Sequence, residues 1–127
     1  MGMTAAEKIL ATASKSAKVK PGDIIFPEPD LVIVHDGYIA SSKAQLDEIG
    51  IRELFDPDRV MLVTDHAVVY TSPMQVERGA AIRKAAAEWG VKRFYDVGQG
   101  GHGHLLPMEE GLALPGSFIF ANDMHCT

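Results

Sequence analysis

Five histidines lie in a chain of 127 residues, and most stand beside an aspartate or between glycines: His35-Asp36, Asp65-His66, Gly100-Gly101-His102-Gly103-His104 and Asp123-Met124-His125. Imidazole titrates near neutral pH, and a carboxylate beside it fixes its tautomer and steadies its charged form. Repeated pairing of the two therefore points to proton transfer or to metal binding. For the metal alternative, His102, His104, Asp123, His125 and Cys126 could converge on one divalent ion. His-x-His and Asp-x-His spacings present alternate side chains on one side of an extended backbone. A small metal-dependent hydrolase or metal-binding module would result, recognised by stoichiometric metal uptake without sulfide.

The elements that must position these groups alternate. Thr4-Ala-Ala-Glu7 is a capping-box pattern and predicts a helix over about 4–15. Asp23–Phe26 and Leu31–Val34 are short apolar runs separated by Pro27 and Pro29, as expected for buried strands joined by a stiff link. Ser42 is expected to cap a helix ending before Gly50, and Asp56-Pro57-Asp58 to turn the chain into a strand over Val60–Val63. Ser72-Pro73 opens a helix whose buried face would carry Val76, Ala80, Ile82, Ala86 and Trp89. Short strands are expected at 92–95 and 117–121. Strands alternating with helices imply crossover units, an α/β fold and a mostly parallel sheet. In such sheets ligands bind beyond the carboxyl ends of the strands, which is where at least three of the Asp/His groups fall.

Composition narrows the field. The 46% hydrophobic and 23% charged content is that of one ordinary globular unit, taken here as residues 1–127. A net charge of −5 argues against a nucleic-acid or anionic-membrane partner, since the densest basic stretch is only Lys15 to Lys20. The single Cys126 excludes an internal disulfide, cannot alone hold an iron–sulfur cluster, and fits a cytoplasmic setting. No apolar stretch approaches membrane-spanning length.

Taken in order, Val34-His35-Asp36-Gly37, Asp56-Pro57-Asp58-Arg59-Val60, Thr64-Asp65-His66, Phe94-Tyr95-Asp96-Val97-Gly98, the Gly-His-Gly-His run, Leu114-Pro115-Gly116 and Asp123-Met124-His125 resemble the beginning of the aconitase family. The likeness is strongest to its isopropylmalate-dehydratase large subunits, which act on substituted malates. The resemblance implies the N-terminal segment of a three-layer α/β/α unit. It also implies a hydro-lyase that removes and adds water on a di- or tricarboxylic hydroxy acid such as 3-isopropylmalate, with a [4Fe-4S] cluster in the complete enzyme.

Carried over by position, Asp65 and His66 match the pair that assists the leaving hydroxyl. His35, with Asp36, matches a substrate-side position, and Asp123 and His125 match the outer members of an Asp-Ser-His triplet. His104 matches the histidine that pairs with that aspartate, with His102 left as the alternative. Met124 replaces the triplet's serine. The resemblance places the cluster cysteines downstream of the triplet, so this chain is expected to bind no cluster alone and to be inactive without its partners. Those partners are the remainder of the large subunit and a small swivelling subunit.

Structural alternatives stand beside these roles. Asp65-His66 could be a turn with a satisfied histidine, His35-Asp36-Gly37 a strand exit whose aspartate caps a turn, and Gly98 to His104 a loop that needs glycine for a sharp path. A silent fragment of a split enzyme, with an apolar surface awaiting its missing partner, is a third reading.

Overall fold

Helix starts and strand ends in this computed structural model, which describes residues 2–123 and His125, follow local signals at most positions. Met124, Cys126 and Thr127 lie outside the described residues, and with them the triplet substitution and the lone thiol. Helix α1 (Ala5–Ala13) begins at Thr4 with the full capping box: Thr4 Oγ1 accepts from the Glu7 N–H, and the Thr4 N–H donates to Glu7 Oε2 at 2.7 Å. Two backbone donors that a helix start leaves open are thereby satisfied.

Strand β1 (Leu31–His35) runs directly into α2 (Asp36–Glu48). Ser42 is the expected N-cap, but the helix is capped seven residues earlier, at His35. His35 is both the last strand residue and the N-cap, and Asp36 brings a negative charge to the first turn, where unpaired N–H groups favour one. Gly50, at φ +83°, ends the helix as expected. A short 3-10 turn, Pro57–Arg59, capped by Asp56, leads into β2 (Val60–Val63).

The expected strand at Asp23–Phe26 does not form, and Ile24 and Phe26 are 88% and 86% exposed. A strand needs a partner edge, and both edges of the adjacent β1 are taken, by β2 and by β4 (Ile119–Ala121). Pro27, directly after the run, and Pro29 have no N–H with which to carry a ladder onward.

Helix α3 (Pro73–Glu88) starts at Ser72 and Pro73 as expected, but its buried line runs through Gly79, Ile82, Ala86 and Trp89. Val76 is 53% exposed and Ala80 also faces solvent. Gly79 sets this rotation, because a side chain there would strike the Tyr70 ring packed over it. A hydrophobic count passes over a glycine that the packing uses as a core position.

With β3 (Arg93–Tyr95), the four strands form an all-parallel sheet in the order β3-β2-β1-β4. This is the α/β class that the alternation of elements predicted. Crossovers between parallel neighbours are right-handed, so steps in one direction place their helices on one face, and a step back places its connection on the other. The two cores fit this rule. Ile39 of α2, Leu62, Ile82 and Ala86 of α3, and Trp89 at its C-cap pack on one face. Leu31, Ile33, Met61 and Val63 pack on the other with Leu106, from the one-turn helix α4 (Leu106–Glu109). Leu62 and Met61 are fully buried on opposite faces, each worth about 1.5–3 kcal/mol of transfer free energy. The direction of winding reverses between β1 and β4, which opens a crevice beyond their carboxyl ends.

Candidate functional site at the carboxyl ends of the strands

His35 shares a face with Leu31 and Ile33 by strand alternation, and its side chain is only 1% exposed. Its Nδ1 lies 3.1 Å from Asp65 Oδ2, just past the end of β2. The other Asp65 oxygen stands 2.7 Å from Nδ1 of His66, and the Gly103 N–H donates to Oδ2 at 2.8 Å. A carboxylate can only accept, so both imidazoles present Nδ1–H to it. Burial alone would push the Asp65 carboxyl up, but the Gly103 amide, His66 and His35 outweigh it and hold the group below the usual carboxylate range.

His66 is the exposed member, with 51% of its side chain open to solvent. Its hydrogen bond to Asp65 raises its pKa above the ordinary imidazole value, against a smaller opposing effect of burial. Asp36 lies behind it: Oδ1 is 3.5 Å from His66 Nδ1, and Oδ2 accepts from the Ala67 N–H at 2.7 Å. This anchors the start of α2 to the loop after β2. His35 Nε2 is buried and has no hydrogen bond among the described residues.

A second group forms after β4. Asp123 Oδ1 accepts from the His125 N–H at 2.8 Å, lies 2.8 Å from His125 Nδ1 and 3.5 Å from His104 Nε2. The His125 amide and ring hold Asp123 below its usual range. Burial and the neighbouring His35 push the His104 pKa down. The His35 and His104 rings, 4.7 Å apart between centroids, connect the two groups. His102, the alternative to His104, is exposed, and its Nδ1 accepts from the His104 N–H at 3.3 Å.

The seven residues given roles by the resemblance, His35, Asp36, Asp65, His66, His104, Asp123 and His125, thus gather at one end of the sheet, and a cleft of about 360 Å³ is lined by His35, His66 and Asp123 together with Gly37, Tyr38 and Arg78. Three contributors escaped the sequence reading: the Gly103 amide, Arg78, and Asn122, whose Oδ1 lies 3.5 Å from the His35 backbone nitrogen. Only Gly103 left a signal, as part of the glycine-rich run. A recess of about 300 Å³ at the other end of the strands, among Pro29, Val32, Leu54, Phe55 and Val60, contains no imidazole.

Over its whole length the chain is 39% identical to the 3-isopropylmalate dehydratase large subunit of Halothermothrix orenii, 34% to that of Thermodesulfovibrio yellowstonii, and 38% to large subunit 1 of Pyrococcus abyssi. The chain is similar throughout to the N-terminal part of these subunits. It spans 30% of the length of these relatives. No protein-family model matches it. No helix among the described residues is long and apolar enough to cross a membrane.

The similarity to isopropylmalate dehydratase large subunits raises the question of an iron–sulfur cluster. The donors gathered at this site are imidazoles and carboxylates, and the one cysteine of the sequence is Cys126. That set does not make the thiolate cage a [4Fe-4S] cluster requires.

Proposed function

We propose that residues 1–127 form a single α/β unit equivalent to the start of a hydro-lyase large subunit, and that this unit supplies the proton-handling residues for dehydrating a substituted malate such as 3-isopropylmalate in leucine biosynthesis. The observation that carries this reading is the Asp65–His66 pair at the end of β2, with His66 facing the cleft and its pKa raised by a buried carboxylate. Hydroxide is a poor leaving group, and a positioned imidazolium lowers the cost of its departure, typically by about a hundred- to ten-thousandfold in rate.

In this reading His66 donates a proton to the departing hydroxyl, and Asp65 holds its ring and balances its charge. His35 and Asp36 shape the substrate side. Asp123, with His104 and His125, forms the second acid–base group. The cluster is held by thiolates outside these 127 residues, and a small swivelling subunit closes the site in the cytoplasm. Joining the chain to the remainder of a relative's large subunit, with the small subunit added, tests the reading. Reversible dehydration of 3-isopropylmalate is expected, lost on His66→Ala. Turnover unaffected by that substitution would refute the role.

A second reading rests on one observation. His104, Asp123 and His125 each offer a donor atom, and the three atoms lie within 4.8 Å of one another, a spacing suited to one divalent ion. Metal and acid-labile sulfide analysis after anaerobic iron–sulfide reconstitution separates the two. Stoichiometric zinc, manganese or iron without sulfide favours a mononuclear site and removes the lyase assignment from these residues.

A further inference from the structure

Helix α3 carries Gly79 and Arg83 one turn apart, and residues at this spacing lie one above the other on a helix face. Gly79 is buried, and the Tyr70 ring fills the space a side chain would take: its Cζ would be 2.6 Å from a Cβ at that position. The Tyr70 hydroxyl then reaches the next turn, where it accepts from Arg83 Nη2 at 3.3 Å, with the guanidinium carbon 5.9 Å from the ring centroid. The same fork holds Asp96: Nε donates to Oδ2 at 2.6 Å and Nη2 to Oδ1 at 3.3 Å.

Tyr70 follows His66 in the loop after β2, and Asp96 opens the loop after β3 that runs on to Gly103 and His104. At the cleft these loops meet on the Asp65 carboxylate, which takes the Gly103 N–H at 2.8 Å and the His66 ring at 2.7 Å. Tyr70, Arg83 and Asp96 close a circuit: from Asp65 along one loop to Tyr70, across the guanidinium to Asp96, and along the other loop to Gly103. The second loop needs such a tie, because it contains Gly98, Gly100, Gly101 and Gly103, and glycine loses more freedom on ordering than any other residue. A bidentate charged pair fixes direction as well as distance. Burial alone would raise the Asp96 carboxyl, but Arg83 and the Val97 amide outweigh it and hold the group below its usual range, so the pair stays charged at neutral pH.

We propose that Arg83 is a positioning residue that ties the loop carrying His66 to the glycine-rich loop, so that the imidazole and the Gly103 amide reach Asp65 together. Arg83 is not among the residues that line the cleft, and it acts through Tyr70 and Asp96. This deepens the hydro-lyase reading, on which its bearing on catalysis rests, by naming what keeps the proton donor against its carboxylate.

The test uses the isotopically labelled 127-residue chain and two NMR readouts of the folded molecule, the His66 ring titration and the Gly103 amide proton shift. A side chain that only stabilises the fold leaves both unmoved. Arg83→Met removes the fork and keeps a good helix former. The His66 pKa is expected to fall toward about 6.5 and the Gly103 amide to move upfield as its charged acceptor recedes, with the α3 core amides unchanged. Arg83→Lys should restore part of both shifts, since it keeps the charge and loses the fork. The tie also predicts effects across the loops: Asp96→Asn should lower the His66 pKa and Tyr70→Phe should move the Gly103 amide, and both effects should vanish in the Arg83→Met background. Parent-like readouts in Arg83→Met, cross-loop effects that persist there, or a spectrum altered throughout α3 overturn the proposal. Should Arg83→Met not fold, Tyr70→Phe, which keeps the ring over Gly79, decides it: an unmoved Gly103 amide overturns the tie. None of these readouts needs turnover, so they stand even if the assembled enzyme shows no dehydration. Conversely, dehydration together with parent-like shifts in Arg83→Met removes the tie and leaves the lyase reading intact.

Discussion

Gly103→Ala probes the point where the glycine-rich loop meets the buried His35–Asp65 pair. A Cβ at this position would lie 2.6 Å from His35 Cε1, 2.7 Å from Val63 Cγ1 and 2.8 Å from Asp65 Oδ2. None of the three can give way easily, because His35 is 1% exposed, Val63 is fully buried and the Asp65 side chain is 2% exposed. The loop must retreat, and its N–H then leaves the Asp65 carboxylate. Overpacking of this kind costs about 1–3 kcal/mol, and a hydrogen bond to a charged group about 1.5–3. The reduced freedom of the unfolded chain returns about 0.4–1 kcal/mol. A net loss of about 1.5–5.5 kcal/mol is expected, a large part of the stability of a small domain. Urea unfolding measures it. Gly101→Ala is the control from the same loop: its nearest neighbour would be Glu109 Oε2 at 3.9 Å, and the change should stay within about 0.5 kcal/mol. Equal stabilities for the two variants would refute the claim that Gly103 is fixed by contact with the pair.

Asp65→Asn should let the His66 pKa fall back toward about 6.5, read from the imidazole Cε1–H shift against pH; an unmoved titration would show that Asp65 is not what raises it. The folded-state pKa of His66 is raised, so its stabilising contribution is complete below about pH 6.5 and fades as pH rises through the folded value. That of Asp65 is depressed, so its contribution holds above about pH 3.9 and is lost as pH falls through the folded value. Thermal melts across this range should therefore flatten at the acid end in Asp65→Asn. Gly79→Ala should displace the Tyr70 ring and destabilise by about 1–2 kcal/mol, with overpacking exceeding the gain in helix propensity, as measured by chemical denaturation. Glu28→Gln should change stability by less than about 0.5 kcal/mol, since its ion pair with Lys15 joins side chains that are 60% and 76% exposed.

The elements with a local cause were legible before the structure. Thr4 with Glu7, Asp56 with Pro57, Ser72 with Pro73 and Gly50 each set a boundary through bonds or torsions within a few residues. What escaped depended on partners distant in sequence. The apolar run at Asp23–Phe26 has strand composition, but β2 and β4 already occupy both edges of β1. The start of α2 was missed because Asp36 is fixed by the Ala67 amide, 31 positions away. In the site, the histidines and aspartates were recognisable by type and neighbour. The Gly103 amide and the Arg78 guanidinium carry no such mark, because their part comes from a backbone direction and a helix rotation.

The position of β1 inside the sheet also bears on how the chain folds during synthesis. Its neighbour on one side, β4, is reached only late: Asp30 and Phe118, which bond across this pair, are 88 residues apart. At about 5–20 residues per second, ribosomal synthesis takes roughly 4–18 s to cover that distance. Throughout this interval the Leu31–His35 ladder has one open edge, and His35 lacks the Asn122 contact at its backbone. An unpaired, apolar strand edge is a template for pairing with other chains. The yield of folded protein should therefore depend on chaperone supply and expression temperature more than its final stability would suggest.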